Sequence, residues 1–366
     1  MKFNALLSIV ALSTAASVSG MLKTETVPDP ILTPSIAHPG PHPHHDFEEL
    51  ARRQLAARER HLQARACAPE FAAFNLRRRA KRALARRQEE SPSSTSSAAA
   101  PHYTELQNTT CILAPEVTEG PYYINNELVR QDLREDQPGI PLILDVGVLD
   151  VNTCTPLSDV FVEIWAANAT GVYGGYAATL GGGGPPPSTS EGGTQPTGGP
   201  GGPGGGGPGG ASQPLQRNET FGRGGFATGE GGVVELTTIY PGFYAGRTAH
   251  IHTMIHLNYE TSENGTLISH AGNLLHNGQF FFEETWNDQV YALNPYNTNT
   301  NERTLNVNDG ILDEENSDGN NAFLALELLG ESIEDGILGY ITVGVNSSAS
   351  YTIQNTNYLN STGPDA

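Results

Sequence analysis

Apolar residues form short runs with strand-like alternation over most of the chain beyond residue 140. Each run is rich in β-branched and aromatic residues and ends at Gly, Pro, Asn or Asp, which is typical of β-strands. We therefore predict a mainly β fold, an immunoglobulin-like antiparallel β-sandwich core with long loops and few short helices. Helical periodicity is limited to patches at 126–135 and 323–329. The predicted strands are 141–151, 160–168, 233–240, 249–259 and 337–346.

The first 20 residues combine a basic Lys2, a short apolar stretch and a small-residue end. This pattern indicates a secretory signal peptide, and no stretch reaches the roughly 18 apolar residues of a membrane span. We therefore expect a secreted, extracellular protein with no membrane partner. Six Asn-x-Ser/Thr sequons fit an exported glycoprotein: Asn108, Asn168, Asn218, Asn264, Asn346 and Asn360.

Charge divides the chain near residue 100. Residues 1–100 carry 14 of the 20 Lys and Arg residues, whereas the remainder has six against 31 Asp and Glu, a formal net charge of −25. Such an acidic surface argues against a nucleic-acid partner. Residues 21–100 are predicted to be a disordered basic pro-segment or linker, with adjacent basic residues between 77 and 87 as processing sites. A retained basic arm is the alternative.

The acidic part is predicted to be one domain over residues 101–346, followed by a polar tail at 347–366. Between residues 181 and 214, 24 of 34 residues are Gly or Pro. This stretch cannot bury enough side chain to order itself, so we predict a flexible insertion in a loop.

Three cysteines, Cys67, Cys111 and Cys154, are expected to meet an oxidising environment in an exported protein. If the pro-segment is removed, only Cys111 and Cys154 remain to pair, and a disulfide between them is predicted. Two buried free thiols are the alternative.

His250 and His252 alternate on a predicted strand and therefore project from one face. Their Cα atoms would lie about 6.6 Å apart, which lets two imidazoles converge on one metal ion. Tyr173 and Tyr244 lie in Gly-rich turns, where a side chain is placed to point into a cleft. Taken alone, the histidine pair is as compatible with a core or surface role as with a metal site, and each tyrosine alone is more typical of a surface aromatic.

Four motifs in a fixed order contain or flank these residues. They are EGPYY at 119–123, VFVEIWAANATGVY at 160–173, PGFY at 241–244 and GRTAHIH at 246–252. In these motifs and their order, the chain resembles the intradiol ring-cleavage dioxygenases over about residues 105–346 without the insertion. Further runs, TFGRG, GQFFFEETW and NPYNTNTNERT, look like the exported fungal branch of that family.

The resemblance implies a non-haem Fe(III) cofactor and a set of site residues. It implies that O2 and a catechol-type substrate react with ring opening between the hydroxyl-bearing carbons, giving muconate-type acids in aromatic compound catabolism. Arg247 and Tyr244 would be catalytic, with Tyr244 leaving the iron when substrate binds. Thr248 stands where bacterial members usually have proline. The implied iron ligands are Tyr173, Tyr244, His250 and His252, and the implied substrate contacts are Pro121, Tyr122, Arg247 and Gln279.

Two other functions fit parts of the pattern. A secreted module that binds ferric iron or phenolic ligands without turnover would need the same residues. A copper or zinc protein would use only the two histidines with a distant ligand. Ferric iron is a hard cation that suits phenolate oxygens with imidazole nitrogens, which favours iron for the full set.

Overall fold

The computed structural model describes residues 116–177, 179, 212–317 and 320–359, with Cys67 and four positions near it (66, 69, 70 and 73). The predicted signal peptide, most of the predicted pro-segment, Cys111 and most of the Gly/Pro-rich insertion lie outside the described residues.

Strands are the main secondary structure of the described residues, and each of the five predicted strand regions contains one. Within the described part of 116–359, the α-helices are α1 (Glu284–Tyr291) and α2 (Gly310–Glu315), and short 3-10 turns cover Tyr296–Thr298, Asn306–Asn308 and Ile333–Asp335. The strands are β1 (Pro141–Asp150), β2 (Thr155–Pro156), β3 (Phe161–Trp165), β4 (Arg223–Ala227), β5 (Val233–Ile239), β6 (His250–Leu257), β7 (Glu260–Thr261), β8 (Leu267–Ile268), β9 (Asn273–Phe281), β10 (Ala325–Leu328) and β11 (Ile337–Val345).

Two sheets form the sandwich. In the first, β1 pairs with β11 along one edge and with β5 and β2 along the other, and β10 pairs with β11. The second has the order β4-β3-β6-β9 and is antiparallel throughout. The prediction of a mainly β sandwich is confirmed, although β1 and β11 run parallel.

The core lies between the two sheets because alternate residues of each strand face inward. Leu142, Leu144 and Val146 of β1 meet Ile251 and Ile255 of β6 in one buried cluster. His250, His252 and Met254 alternate with these residues on β6 and therefore lie on the opposite face of the second sheet.

A second apolar layer covers that opposite face. Tyr122 and Tyr123, which precede the first strand, pack there with Trp165 and with Ile353 and Leu359 near the C-terminal end. The outer face of the second sheet is thus buried rather than open to water, and polar residues on it lie in a shielded environment.

Both predicted helical patches were wrong. Residues 126–135 make isolated bridges instead, in which Leu128, Val129 and Asp132 pair with three separate segments. Residues 325–328 form β10, which pairs with β11. In both places hydrogen bonds to distant segments outweigh a weak local preference for helix.

The predicted disulfide was also wrong. Cys154 is bonded to Cys67, not to Cys111. Cys67 is buried and packs against Leu149 at the end of β1, beside the turn that carries Cys154. The prediction assumed that the segment containing Cys67 leaves the protein, whereas the structure places this residue against the sandwich.

Among the described helices, none combines the length and apolar composition that crossing a membrane requires.

Candidate metal centre

Tyr173 is set by a tight turn that follows β3. The side-chain oxygen of Asn168 accepts hydrogen bonds from the backbone N–H groups of Thr170 and Val172, both at 3.1 Å. Tyr173 then forms a bridge back to Ala167. Its ring is fully buried, and the turn fixes it over the outer face of the second sheet.

A second turn, which leads into β6, carries Tyr244. The two turns pack backbone to backbone, since a Cβ atom on Gly171 would collide with the carbonyl oxygen of Phe243. Gly242 has the same relation to the carbonyl oxygen of Ala169. These two glycines allow the close approach that brings the two tyrosines together.

His250 and His252 project from β6 beneath the two turns. The Nδ1–H group of His250 donates to the carbonyl oxygen of Thr248 at 2.7 Å, so its Nε2 atom carries the free lone pair. His252 is held by packing instead: its ring stacks on Trp165 with 4.8 Å between centroids. A Cβ atom on Gly120 would lie 3.0 Å from its Cε1 atom.

All four predicted ligands meet at one point. The hydroxyl oxygens of Tyr173 and Tyr244 lie 3.2 and 3.3 Å from Nε2 of His250. The ring centroids of His250 and His252 are 4.8 Å apart, and those of Tyr173 and His252 are 6.2 Å apart. The structure thus gathers four side chains that are separated by up to 79 positions in sequence.

Burial controls the protonation of these groups. Desolvation raises the pKa of Tyr173 well above its usual value and also raises the pKa of Tyr244. Desolvation lowers the pKa of both His250 and His252 well below the usual range, with the positive charge of Arg247 adding to the effect. The imidazoles are therefore neutral at pH 7 and can offer a lone pair to a metal ion, whereas the phenols need a nearby cation to lose their protons.

The predicted substrate contacts surround this point. The ring of Tyr122 stacks on Tyr173 at 4.7 Å between centroids, and Pro121 precedes it in the covering segment. Gln279 pairs with His252 across β6 and β9, and its side-chain oxygen accepts a 2.6 Å hydrogen bond from Nη2 of Arg247. The Arg247 side chain is 15% exposed, so it lies at the edge of the buried site.

Solved structures with a similar fold are dioxygenases. One crystal structure of a dioxygenase is 28% identical, covers 66% of this chain and 98% of its own, and has a TM-score of 0.50. An intradiol ring-cleavage dioxygenase from Tetranychus urticae has the same identity and coverage with a TM-score of 0.48. The predicted resemblance is confirmed at the level of the dioxygenase fold.

Catechol 1,2-dioxygenase from Pseudomonas arvilla C-1 is a more distant match among solved structures. It is 16% identical, with 68% of each chain covered and a TM-score of 0.38. No protein-family model and no curated protein sequence matches the chain.

The donor set fits the ferric iron that the family generally uses. Two hydroxyl oxygens lie within hydrogen-bond distance of one lone pair, on Nε2 of His250, which can accept only one proton from them. Nδ1 of His252 is buried without a hydrogen-bond partner among the described residues. The described residues contain no cluster of three or more His, Cys, Asp or Glu side chains suited to a metal ion.

Several residues that shape the site were not singled out from the sequence. Trp165 and Gly120 hold His252 in place. Both lie within motifs from which only other residues were predicted to form the site. Asp309 contacts Arg247 from a segment more than 60 positions away. Its one local signal is its place before the Ile-Leu-Asp-Glu-Glu run, which is typical of a helix N-cap.

Proposed function

We propose that this protein is a secreted non-haem Fe(III) dioxygenase that opens catechol-type rings between the hydroxyl-bearing carbons and yields muconate-type diacids. One observation carries the proposal: the hydroxyl groups of Tyr173 and Tyr244 converge on the free nitrogen of His250 in a buried site beside His252. The similarity to intradiol dioxygenases supports the reaction class.

Tyr173, Tyr244, His250 and His252 would hold the iron. Two phenolates with one hydroxide balance a charge of 3+, so the loaded site is neutral and is buried without a large desolvation penalty. When bound, ferric iron supplies the electron transfer that makes a coordinated catechol reactive toward O2. Imidazole and phenolate are donors that a hard trivalent cation accepts readily.

Tyr244 is suited to accept a proton from the substrate. A catechol that binds through both oxygens would release two protons: the phenolate oxygen of Tyr244 would take one as this side chain moves away, and the hydroxide would take the other and leave as water. Tyr244 is 6% exposed, whereas Tyr173 is fully buried and its ring is stacked on that of Tyr122. The more weakly held tyrosine is therefore the one suited to move.

Arg247 stabilises negative charge at the edge of the site. Its guanidinium group remains charged at all physiological pH values, and it lies beside Tyr244. A fixed cation at this place favours the catecholate form of a substrate and the negative charge that develops on the ring. Tyr122 and Gln279 border the same space and orient the ring.

Oxygen consumption by the iron-loaded protein tests the proposal. We expect one O2 consumed per catechol and a ring-opened diacid in which both oxygen atoms of O2 appear by mass spectrometry. A chain that binds one iron per molecule but opens no catechol, hydroxyquinol or protocatechuate would be a binding module, and the proposal would be wrong.

A further inference from the structure

Asp309 connects the substrate edge of the site to helix α2. It is the N-cap of that helix, and its Oδ1 atom accepts hydrogen bonds from the backbone N–H groups of Ile311 and Leu312 at 3.0 and 3.1 Å. Capping therefore uses only one of its two carboxylate oxygens. The residue is 2% exposed, which makes its remaining contacts strong.

The second carboxylate oxygen of Asp309 is directed at the site. Its Oδ2 atom accepts a hydrogen bond from Nε of Arg247 and another from the backbone N–H of Thr248, both at 2.8 Å. Because this charge-assisted bond uses Nε, the Nη atoms at the far end of the guanidinium group remain available for other partners. That end donates to Gln279, the residue opposite His252.

Through its contact with Thr248, Asp309 also acts on a metal ligand. The carbonyl oxygen of Thr248 accepts the hydrogen bond from Nδ1 of His250. One carboxylate thus fixes both the side chain of Arg247 and the residue that orients His250. A partner that sets the tautomer and ring orientation of a metal-binding histidine commonly affects metal affinity or activity about 10–100-fold.

The other end of α2 holds Gln279. Oε1 of Glu315, a fully buried residue, accepts a hydrogen bond from the backbone N–H of Gln279 at 2.9 Å. The short helix therefore contacts both polar substrate residues, Arg247 from its N-cap and Gln279 from its last residue.

We propose that Asp309 is a positioning residue for the reaction: it holds Arg247 in the orientation that meets the substrate and, through Thr248, keeps His250 directed at the metal. This inference rests on the proposed function, because a substrate and an iron must occupy the site. It adds a residue that lies outside the four motifs and has no contact of its own with the ring.

The test compares Asp309→Asn with Asp313→Asn, which changes an exposed carboxylate on the same helix. The asparagine keeps an oxygen for the helix cap but loses the charge that Arg247 faces. We expect Asp309→Asn to lower kcat/KM about 10–100-fold and to weaken catechol binding without oxygen, measured by calorimetry, about tenfold. At saturating iron, the iron stoichiometry should match that of Asp313→Asn, and Tm should stay close to it.

A double-mutant comparison separates positioning from a general structural role. If Asp309 acts in part through Arg247, adding Asp309→Asn to Arg247→Gln should lower kcat/KM by clearly less than it does in the wild type, and what remains is the effect through Thr248 and His250. Fully multiplicative losses would overturn the inference, as would wild-type kinetics in Asp309→Asn. A lower Tm that accounts for the whole loss of activity, with unchanged iron and catechol affinity in the folded protein, would make Asp309 a helix cap only.

Failure of the proposed function has a different signature. In that case the wild-type protein itself opens no ring, and the inference about Asp309 falls with it. Wild-type turnover together with an unaffected Asp309→Asn variant rejects only the positioning role.

Discussion

The protonation of His250 and His252 links the site to stability at the scale of single residues. Burial lowers the pKa of both imidazoles well below the usual value near 6.5, so the folded, metal-free protein keeps them neutral. Below pH 6.5 the unfolded chain binds protons that the folded chain does not bind. The free energy of unfolding must therefore fall as the pH falls through and below 6.5.

Urea unfolding of the metal-free protein between pH 7 and pH 5 measures this effect. Each of the two histidines is expected to contribute a slope of up to about 1.4 kcal/mol per pH unit below 6.5. His252→Gln should remove its share of the slope, whatever its effect on stability at pH 7. A variant with the wild-type slope would show that His252 is already protonated in the folded protein.

Individual residues also show the limits of sequence reasoning. The two histidines and two tyrosines were predictable because four motifs in a fixed order place them together. Asp309 was not, since its contact with Arg247 depends on how the segment after α1 folds back over β6. An acidic residue before a helix looks like any other cap until its second oxygen is located.

At the scale of elements, the site depends on two turns that pack against each other. Gly171 has a φ of +82° and faces the carbonyl oxygen of Phe243, whereas Gly265 has a φ of +84° with open space around it. A side chain added at Gly265 would cause backbone strain alone, whereas one added at Gly171 would cause both strain and a collision.

Gly265→Ala is expected to cost about 1 kcal/mol of stability through its left-handed backbone. Gly171→Ala is expected to cost more than about 2 kcal/mol and to weaken iron binding, because the added methyl group forces the Tyr173 and Tyr244 turns apart. Chemical denaturation and iron titration of the two variants check this. Equal losses would mean that the contact between the turns does not matter for the site.

The strands were more predictable than the helices for a physical reason. A buried strand needs apolar, β-branched residues along its length, so β1, β6 and β11 are visible as runs in the sequence. The 126–135 segment has helical spacing, but Glu127 forms a buried ion pair with Arg223 of β4. Such distant partners decide the conformation of a short segment and leave no local trace.

At the scale of the whole molecule, the Cys67–Cys154 disulfide determines what cleavage in the basic segment would release. It joins a residue before the predicted processing sites at 77–87 to the sandwich. If a protease cuts there, the fragment with Cys67 stays attached. We expect one species in non-reducing electrophoresis and an additional small fragment after reduction.

Cys67→Ser is the companion variant. It is expected to lower the free energy of unfolding by about 2–4 kcal/mol, since the bond closes a loop across 87 positions. Cys111→Ser serves as the control and should change stability much less. A non-reduced mass that lacks the Cys67 segment would contradict the disulfide assignment.

The visible absorption spectrum of the iron-loaded protein tests the central claim most directly. Tyrosinate bound to ferric iron gives a charge-transfer band, so the wild-type protein should be coloured with one iron per chain. Tyr173→Phe should shift and weaken that band and lower iron affinity at least about tenfold, while Tyr259→Phe, half-buried and away from the site, should leave both unchanged. A colourless wild-type protein, or the same band in Tyr173→Phe, would contradict a two-tyrosine, two-histidine iron site.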